Sequence, residues 1–255
     1  MDLILAIFIF IFGLMVGSFL NAVIFRLHTR ESFLFERSHC PYCKHELAAK
    51  DLVPLFSFLA LQGKCRYCRK PISWQYPFIE LITAIIFVLL ALNLEFGIWN
   101  LEFCYLLTVI CFLIIVAVYD FKHYLILDKV VFPAFGLALL WSIVSGQFVS
   151  GLIGAAIVAG FFALQYYVSQ GRWIGFGDVK LGLFLGTMLG YKMSLIMLLL
   201  AYFMGAVVGV TLIMLKQKTM GSKLPFGVFL SISAIMILLY GQQISDWYFK
   251  LIGLQ

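Results

Sequence analysis

Two kinds of side chain in this sequence stand at spacings that can do chemistry. Four cysteines form two tight pairs, Cys40-Pro-Tyr-Cys43 and Cys65-Arg-Tyr-Cys68. Each pair offers two thiolates from one turn, and two such pairs complete the tetrahedral sulfur shell of a structural zinc site. Four thiolates leave no position open for water, so one Zn²⁺ bound here is expected to hold a fold and not to react. Lys64, Arg66 and Arg69 beside the second pair favour the thiolate form. Disulfides are the alternative, and a reducing compartment disfavours them. The second kind is a set of acids at the margins of apolar runs: Glu80, Asp120, Asp128 and Asp178. Carboxylates are costly in a bilayer, so each of these asks for a reason.

Asp178 ends the run Gly175-Phe176-Gly177-Asp178. The glycines permit a non-helical entry and a close approach by another group, although Asp178 taken alone reads as a helix N-cap. Asp120 stands in Tyr119-Asp120-Phe121-Lys122-His123, where taken alone it reads as a solvated helix-end charge. The pair reads differently. Topology puts both at similar depth on one side of the membrane, on helices able to be neighbours. Two adjacent carboxyls repel, so one is expected to be protonated and the other ionised. The ionised member would take a proton from water attacking a peptide carbonyl, and the protonated one would donate to the carbonyl oxygen.

The elements that must position these groups are membrane helices. The chain of 255 residues is 64% hydrophobic and 12% charged, against about 25% charged in an average soluble domain. Apolar runs near the length that crosses a hydrocarbon core recur between short polar breaks. They predict an all-α polytopic membrane protein with about eight transmembrane helices, at 3–25, 78–94, 103–119, 130–145, 151–168, 179–190, 194–215 and 226–244. The sixth is short enough to be tilted or to begin from a non-helical entry, and seven spans are the alternative. The first lacks a basic n-region and is read as a retained helix with its N-terminus outside. On that topology only Lys192 and Lys250 of the 18 Lys and Arg face outward, and the other 16 mark the cytoplasmic side.

The organisation expected is a first transmembrane helix over 1–25, a small zinc-ribbon-like cytoplasmic loop domain over 26–76, and a transmembrane bundle over 77–255. The loop carries nine Lys or Arg against four Asp or Glu. The net charge of +6 suits anionic membrane lipids and needs no nucleic-acid partner. Cys104 and Cys111 share one helical face and read as packing residues. His28, His39, His45 and His123 read as loop residues, none in a nucleophilic arrangement. No GxGxxG nucleotide loop occurs.

In order along the chain, these residues resemble the bacterial type IV prepilin peptidases, within the wider presenilin-like GxGD group of intramembrane aspartyl proteases. The resemblance rests on the stretch 17–26 (Gly-Ser-Phe-Leu-Asn-Ala-Val-Ile-Phe-Arg), the two CxxC pairs, Tyr76-Pro77-Phe78-Ile79-Glu80-Leu81, Tyr119-Asp120 with Asp128, the Gly175-to-Asp178 run and Pro225-Phe226-Gly227. It implies that Asp120 and Asp178 are the catalytic aspartates, with Tyr119, Asp128, Gly175, Gly177, Pro225, Phe226 and Gly227 as the supporting motif. Leu127 and Val228 stand where the family commonly has proline. It further implies cleavage of leaders from type IV prepilins and pilin-like type II secretion subunits at the cytoplasmic face of the bacterial inner membrane. N-methylation of the new terminus with S-adenosylmethionine would follow, and for that step Gly17, Asn21, Arg26 and Glu80 are the candidates. Three of these have a plainer reading: close helix packing for Gly17, an interhelical hydrogen bond for Asn21, an interface anchor for Arg26.

Three rivals stand beside this reading: a peptidase without methylation, a zinc-stabilised scaffold for a secretion machine, and a transporter whose acids relay protons or bind cations. The transporter explains less, since the acids lie at the membrane edge and no inverted repeat is present.

Overall fold

Backbone groups in hydrocarbon have no water to satisfy them, so apolar runs of this length fold as helices whose hydrogen bonds are all internal. The computed structural model describes residues 2–29, 31, 37–93, 100–219 and 221–251. Its helices are α1 (Leu3–Thr29), α2 (Phe56–Ala60), α3 (Gln75–Asn93), α4 (Leu101–His123), α5 (Asp128–Val144), α6 (Phe148–Ser169), α7 (Phe176–Met214) and α8 (Phe226–Leu251), with a 3₁₀ turn at Ala49–Asp51. Among the described residues six helices are long and apolar enough to cross a membrane: α1, α3, α4, α6, α7 and α8. This is a nearly all-helical, multi-pass membrane protein.

The span count differs from the expected eight for two physical reasons. Helix α5 covers the fourth expected span with only 17 residues. The sixth and seventh both lie on α7, whose 39 residues are interrupted where Gly190 takes φ 69° and ψ 175°. The end of the second expected span, at residue 94, lies outside the described residues. Two histidines also differ from expectation, because His28 and His123 occupy the last turns of α1 and α4.

The chain divides into two compact units, Met1–Phe103 and Cys104–Gln255. In the first, α1 packs along α3. A Cβ on Gly13 would lie 2.5 Å from the Ala84 Cα, and one on Gly17 would lie 2.6 Å from the Glu80 Cα. Two glycines four residues apart thus let the helix backbones meet, the small-residue device of membrane helix pairs. In the second unit α7 is the central element and packs against α5, α6 and α8. Gly151, Gly154, Gly182 and Gly186 bring α6 and α7 together in the same way.

Candidate active site

Helix α7 starts at Phe176 with Gly175 as its N-cap, three residues before the expected start at 179, so Asp178 sits in the first turn and Gly177 is helical. The Gly175 N–H donates to Asp178 Oδ2 at 3.1 Å. The capping role that Asp178 could have had alone is therefore present, but it occupies one oxygen. The other, Oδ1, is buried and meets no hydrogen-bond partner.

Asp120 shows the same division. It lies in the last turn of α4, buried rather than solvated, and its carboxyl faces the backbone N–H groups of Gly227 and Val228 where α8 begins. Helix N-termini present unpaired N–H groups, and a carboxylate is at home there. Val228 supplies an N–H that a proline at this position would lack. Asp120 Oδ2 is nonetheless buried without a hydrogen-bond partner. The two carboxyls are close enough for the charge of Asp120 to act on Asp178. Each thus has backbone N–H groups acting on its carboxyl and one oxygen left open, and buried open oxygens are rare enough to ask for an occupant.

Glycine is what lets these elements converge. A Cβ on Gly227 would stand 2.9 Å from Asp120 Oδ2 and 3.1 Å from Ile126 Cδ1, and one on Gly177 would stand 2.9 Å from the Ile126 Cβ. Ile126, in the short α4–α5 connection, therefore fills the space between the starts of α7 and α8. Sequence reasoning missed it, since a lone isoleucine beside an apolar span carries no signal. Pro225 precedes α8. The ring of Phe226 packs against Tyr202 at 4.9 Å and Phe162 at 6.0 Å, fixing the α8 start on α7 and α6. Tyr119 is buried with its ring 4.6 Å from that of His123.

Asp128 is not part of this convergence. Its two oxygens accept from Lys180 Nζ at 2.6 and 2.8 Å on the exposed side of α5 and α7. An ion pair already satisfies it, so of the two acids near this end of α4 it is Asp120 whose charge acts on Asp178. Lys180 itself went unnoticed in the sequence.

The other candidate residues lie in the Met1–Phe103 unit. The four cysteine sulfurs lie within 4.8 Å of one another, and Cys40 Sγ and Cys68 Sγ are 3.8 Å apart. A tetrahedron of thiolates about zinc at ~2.3 Å has edges of ~3.8 Å, so the cluster fits such an ion. The two halves are near copies. Cys40 N–H donates to His45 O and Cys65 N–H to Lys70 O, while Lys44 N–H donates to Cys40 O and Arg69 N–H to Cys65 O. Lys44 and Arg69, each just after its pair, take left-handed φ of 59° and 60°. Burial opposes ionisation of Cys40, but the N–H groups of Cys43 and Tyr42 and the neighbouring thiols outweigh it and bring the thiol down to about 7. For Cys68 the Lys70 N–H favours the thiolate, yet burial and the other three thiols push it up to about 11. Four thiols so close cannot all ionise unless a cation joins them.

Asp51 braces the second knuckle, accepting from Arg66 Nε at 2.6 Å and Tyr67 Oη at 3.1 Å. Burial would push its pKa up, but those two donors and the Ala48 N–H hold it below the usual carboxylate range.

Gly17, Asn21 and Glu80 also meet. Asn21 Nδ2 donates to Gly17 O at 3.2 Å and Tyr76 O at 3.1 Å, and its Oδ1 accepts from Gln75 Nε2 at 3.2 Å. Glu80 is buried, and its Oε2 accepts from the Leu55 N–H at 2.9 Å. Its other partner is the Ser18 hydroxyl, so both are neutral. Leu55 holds φ 60° and ψ −50° while Phe56 N–H donates to Pro54 O at 2.6 Å, a γ-turn of the strained hand. No sequence pattern announces such a turn at a leucine. Gln75 Oε1 is buried without a partner. Arg26 is half-buried in the last turn of α1.

Comparison with known proteins places these residues in context. Residues 11–94 match the family described as the bacterial peptidase A24 N-terminal domain, and residues 107–210 match the type IV leader peptidase family. The chain is similar to the prepilin leader peptidase/N-methyltransferase of Aeromonas hydrophila, 35% identical over 94% of this chain and 92% of that one. The protein of that name from Bacillus subtilis (strain 168) is 35% identical over 95% and 97% of the two chains. That from Pseudomonas aeruginosa is 32% identical over 94% and 92%. No solved structure matches the chain.

Proposed function

Because this chain belongs to the type IV leader peptidase family, we propose that it is a membrane aspartyl endopeptidase that removes the leader of prepilin-like proteins and then N-methylates the new terminus. Asp120 and Asp178 are the catalytic pair. The observation that carries this is the buried, unpartnered oxygen on each of them, on two carboxyls close enough for the charge of one to act on the other. One carboxylate accepts a proton from water as the water oxygen bonds to the scissile carbonyl carbon. The other gives its proton to the carbonyl oxygen. Collapse of the tetrahedral species breaks the C–N bond, and the proton taken from water goes to the leaving amine. The basic bias of the connecting segments supports placing this chemistry, and the cysteine loop, at the cytoplasmic face of the inner membrane.

The cysteine cluster is a structural Zn²⁺ site. Methyl transfer belongs to the Gly17, Asn21, Arg26 and Glu80 region, with S-adenosylmethionine as the methyl donor. A buried carboxylate whose partners are both neutral suits a cationic group, which describes both a sulfonium and an amine terminus. Glu80 would hold that charge, with Leu55 N–H fixing the carboxylate and Asn21 fixing the helices around it.

The test is to incubate the purified chain with a prepilin-like peptide, with and without S-adenosylmethionine, and weigh the product. Asp120→Asn and Asp178→Asn are each expected to abolish cleavage while the protein stays folded in the membrane. Asp128→Asn removes only a half-exposed ion pair, worth about 0–1 kcal/mol, and is expected to keep most of the activity. An active Asp178→Asn protein would end the reading.

A further inference from the structure

Within the basic loop, residues 52–63 read Leu-Val-Pro-Leu-Phe-Ser-Phe-Leu-Ala-Leu-Gln-Gly without a single charge, between Lys50-Asp51 and Lys64. A soluble knuckle domain would bury such a run. Here only Phe58 is buried, its ring 4.9 Å from that of Trp74. Leu52, Val53, Phe56 and Leu59 remain 40%, 45%, 70% and 69% exposed, and Trp74 is 75% exposed. A contiguous apolar surface of this kind marks an interaction site.

The exposed surface continues along the membrane helix beside it. Trp74 immediately precedes α3, and Phe78, Leu81, Ile82 and Ile85 follow it at helical spacing, all exposed. That stripe is the lipid-facing side of α3. A tryptophan at the end of such a stripe belongs to the headgroup layer, and this one touches α2 through Phe58. The depth of α2 is fixed independently. Leu55 N–H donates to Glu80 Oε2, and Glu80 lies five residues into α3, about 8 Å of helix rise from its start. An interfacial helix sits about 5–10 Å into the headgroup and acyl boundary, which is the level this bond imposes. Lys50 and Lys64 are both exposed and flank the run, where anionic headgroups attract them.

We infer that residues 52–59, with Trp74, form an interfacial anchor that lays the cysteine loop on the headgroup layer of an anionic phospholipid bilayer. The strained turn at Leu55 is thereby clamped from two sides, by lipid on the outer face of α2 and by Glu80 within. The inference stands apart from the proposed activity, because its readout is lipid contact and not turnover.

The experiment uses the full chain in nanodiscs of phosphatidylethanolamine and phosphatidylglycerol. The photoreactive residue p-benzoylphenylalanine replaces Phe56, Leu59 or, as the reference, Tyr42, which is 57% exposed on the first knuckle. After irradiation, peptide mass spectrometry identifies what each position has captured. The expected result is phospholipid adducts at 56 and 59 in several-fold excess over 42. Lipid labelling at 56 and 59 no higher than at 42 overturns the inference. So does capture dominated by the chain itself, a second copy, or an added prepilin-like peptide.

Discussion

Asp178 and Asp120 each have backbone N–H groups acting on the carboxyl and one oxygen left for the proposed chemistry. The Gly175 N–H takes one oxygen of Asp178, the start of α8 faces Asp120, and the remaining oxygens stay unpartnered. This division was not legible in the sequence, where an N-cap and a catalytic acid look alike. The proposed pairing came from charge bias, which put both acids on one side. What the sequence hid was Ile126, which fills the space between the starts of α7 and α8 and whose position depends on Gly177 and Gly227. Gly227→Ala tests that geometry. Its Cβ would meet Asp120 Oδ2 at 2.9 Å, and a displacement of about 1 Å at a reacting group can cost roughly 100-fold. Cleavage kcat is expected to fall by about 10- to 100-fold while the protein remains folded. Gly160→Ala, which meets nothing within 4 Å, is expected to behave as the parent, and an equal loss there would remove the explanation.

At the scale of elements, hydropathy located every helix of the bundle, because length and apolarity are all a bilayer asks of a span. On α7 it read two spans, 179–190 and 194–215, and the helix is interrupted at the end of the first, where Gly190 takes φ 69° and ψ 175°, a conformation essentially confined to glycine. Glycines are common in membrane helices, so hydropathy found the break without singling out the residue that sets it. A Cβ there would also lie 2.5 Å from Ser150 Oγ. Gly190→Ala is therefore expected to destabilise the protein by about 1–3 kcal/mol, seen as a lower Tm in detergent. An unchanged Tm would mean that the helix can straighten without loss. The short α2 escaped notice for the opposite reason, since five helical residues carry no periodicity to read.

For the whole molecule, the two proposed activities fall in different compact units. Asp120, Asp178, Ile126 and the motif glycines Gly175, Gly177 and Gly227 belong to Cys104–Gln255, whereas the cysteine cluster, Asn21 and Glu80 belong to Met1–Phe103. The activities should then separate. Asp178→Asn protein is expected to methylate a synthetic peptide that already begins at the mature terminus, and Glu80→Gln protein is expected to lose methylation far more than cleavage. Mass spectrometry of the product N-terminus reads both, and parallel loss of both activities in either variant would contradict the separation. The broken α7 bears on how such a protein is made. The half that carries Asp178, residues 176–189, spans only about 21 Å as a helix, short of the ~30 Å hydrocarbon core. As the nascent chain emerges, that half is too short to be taken up as a span in its own right. Its insertion is then expected to lean on the longer helices around it, with α4 and Asp120 already made. On the proposed chemistry, the second carboxylate would arrive last, and a half-inserted copy would lack the pair.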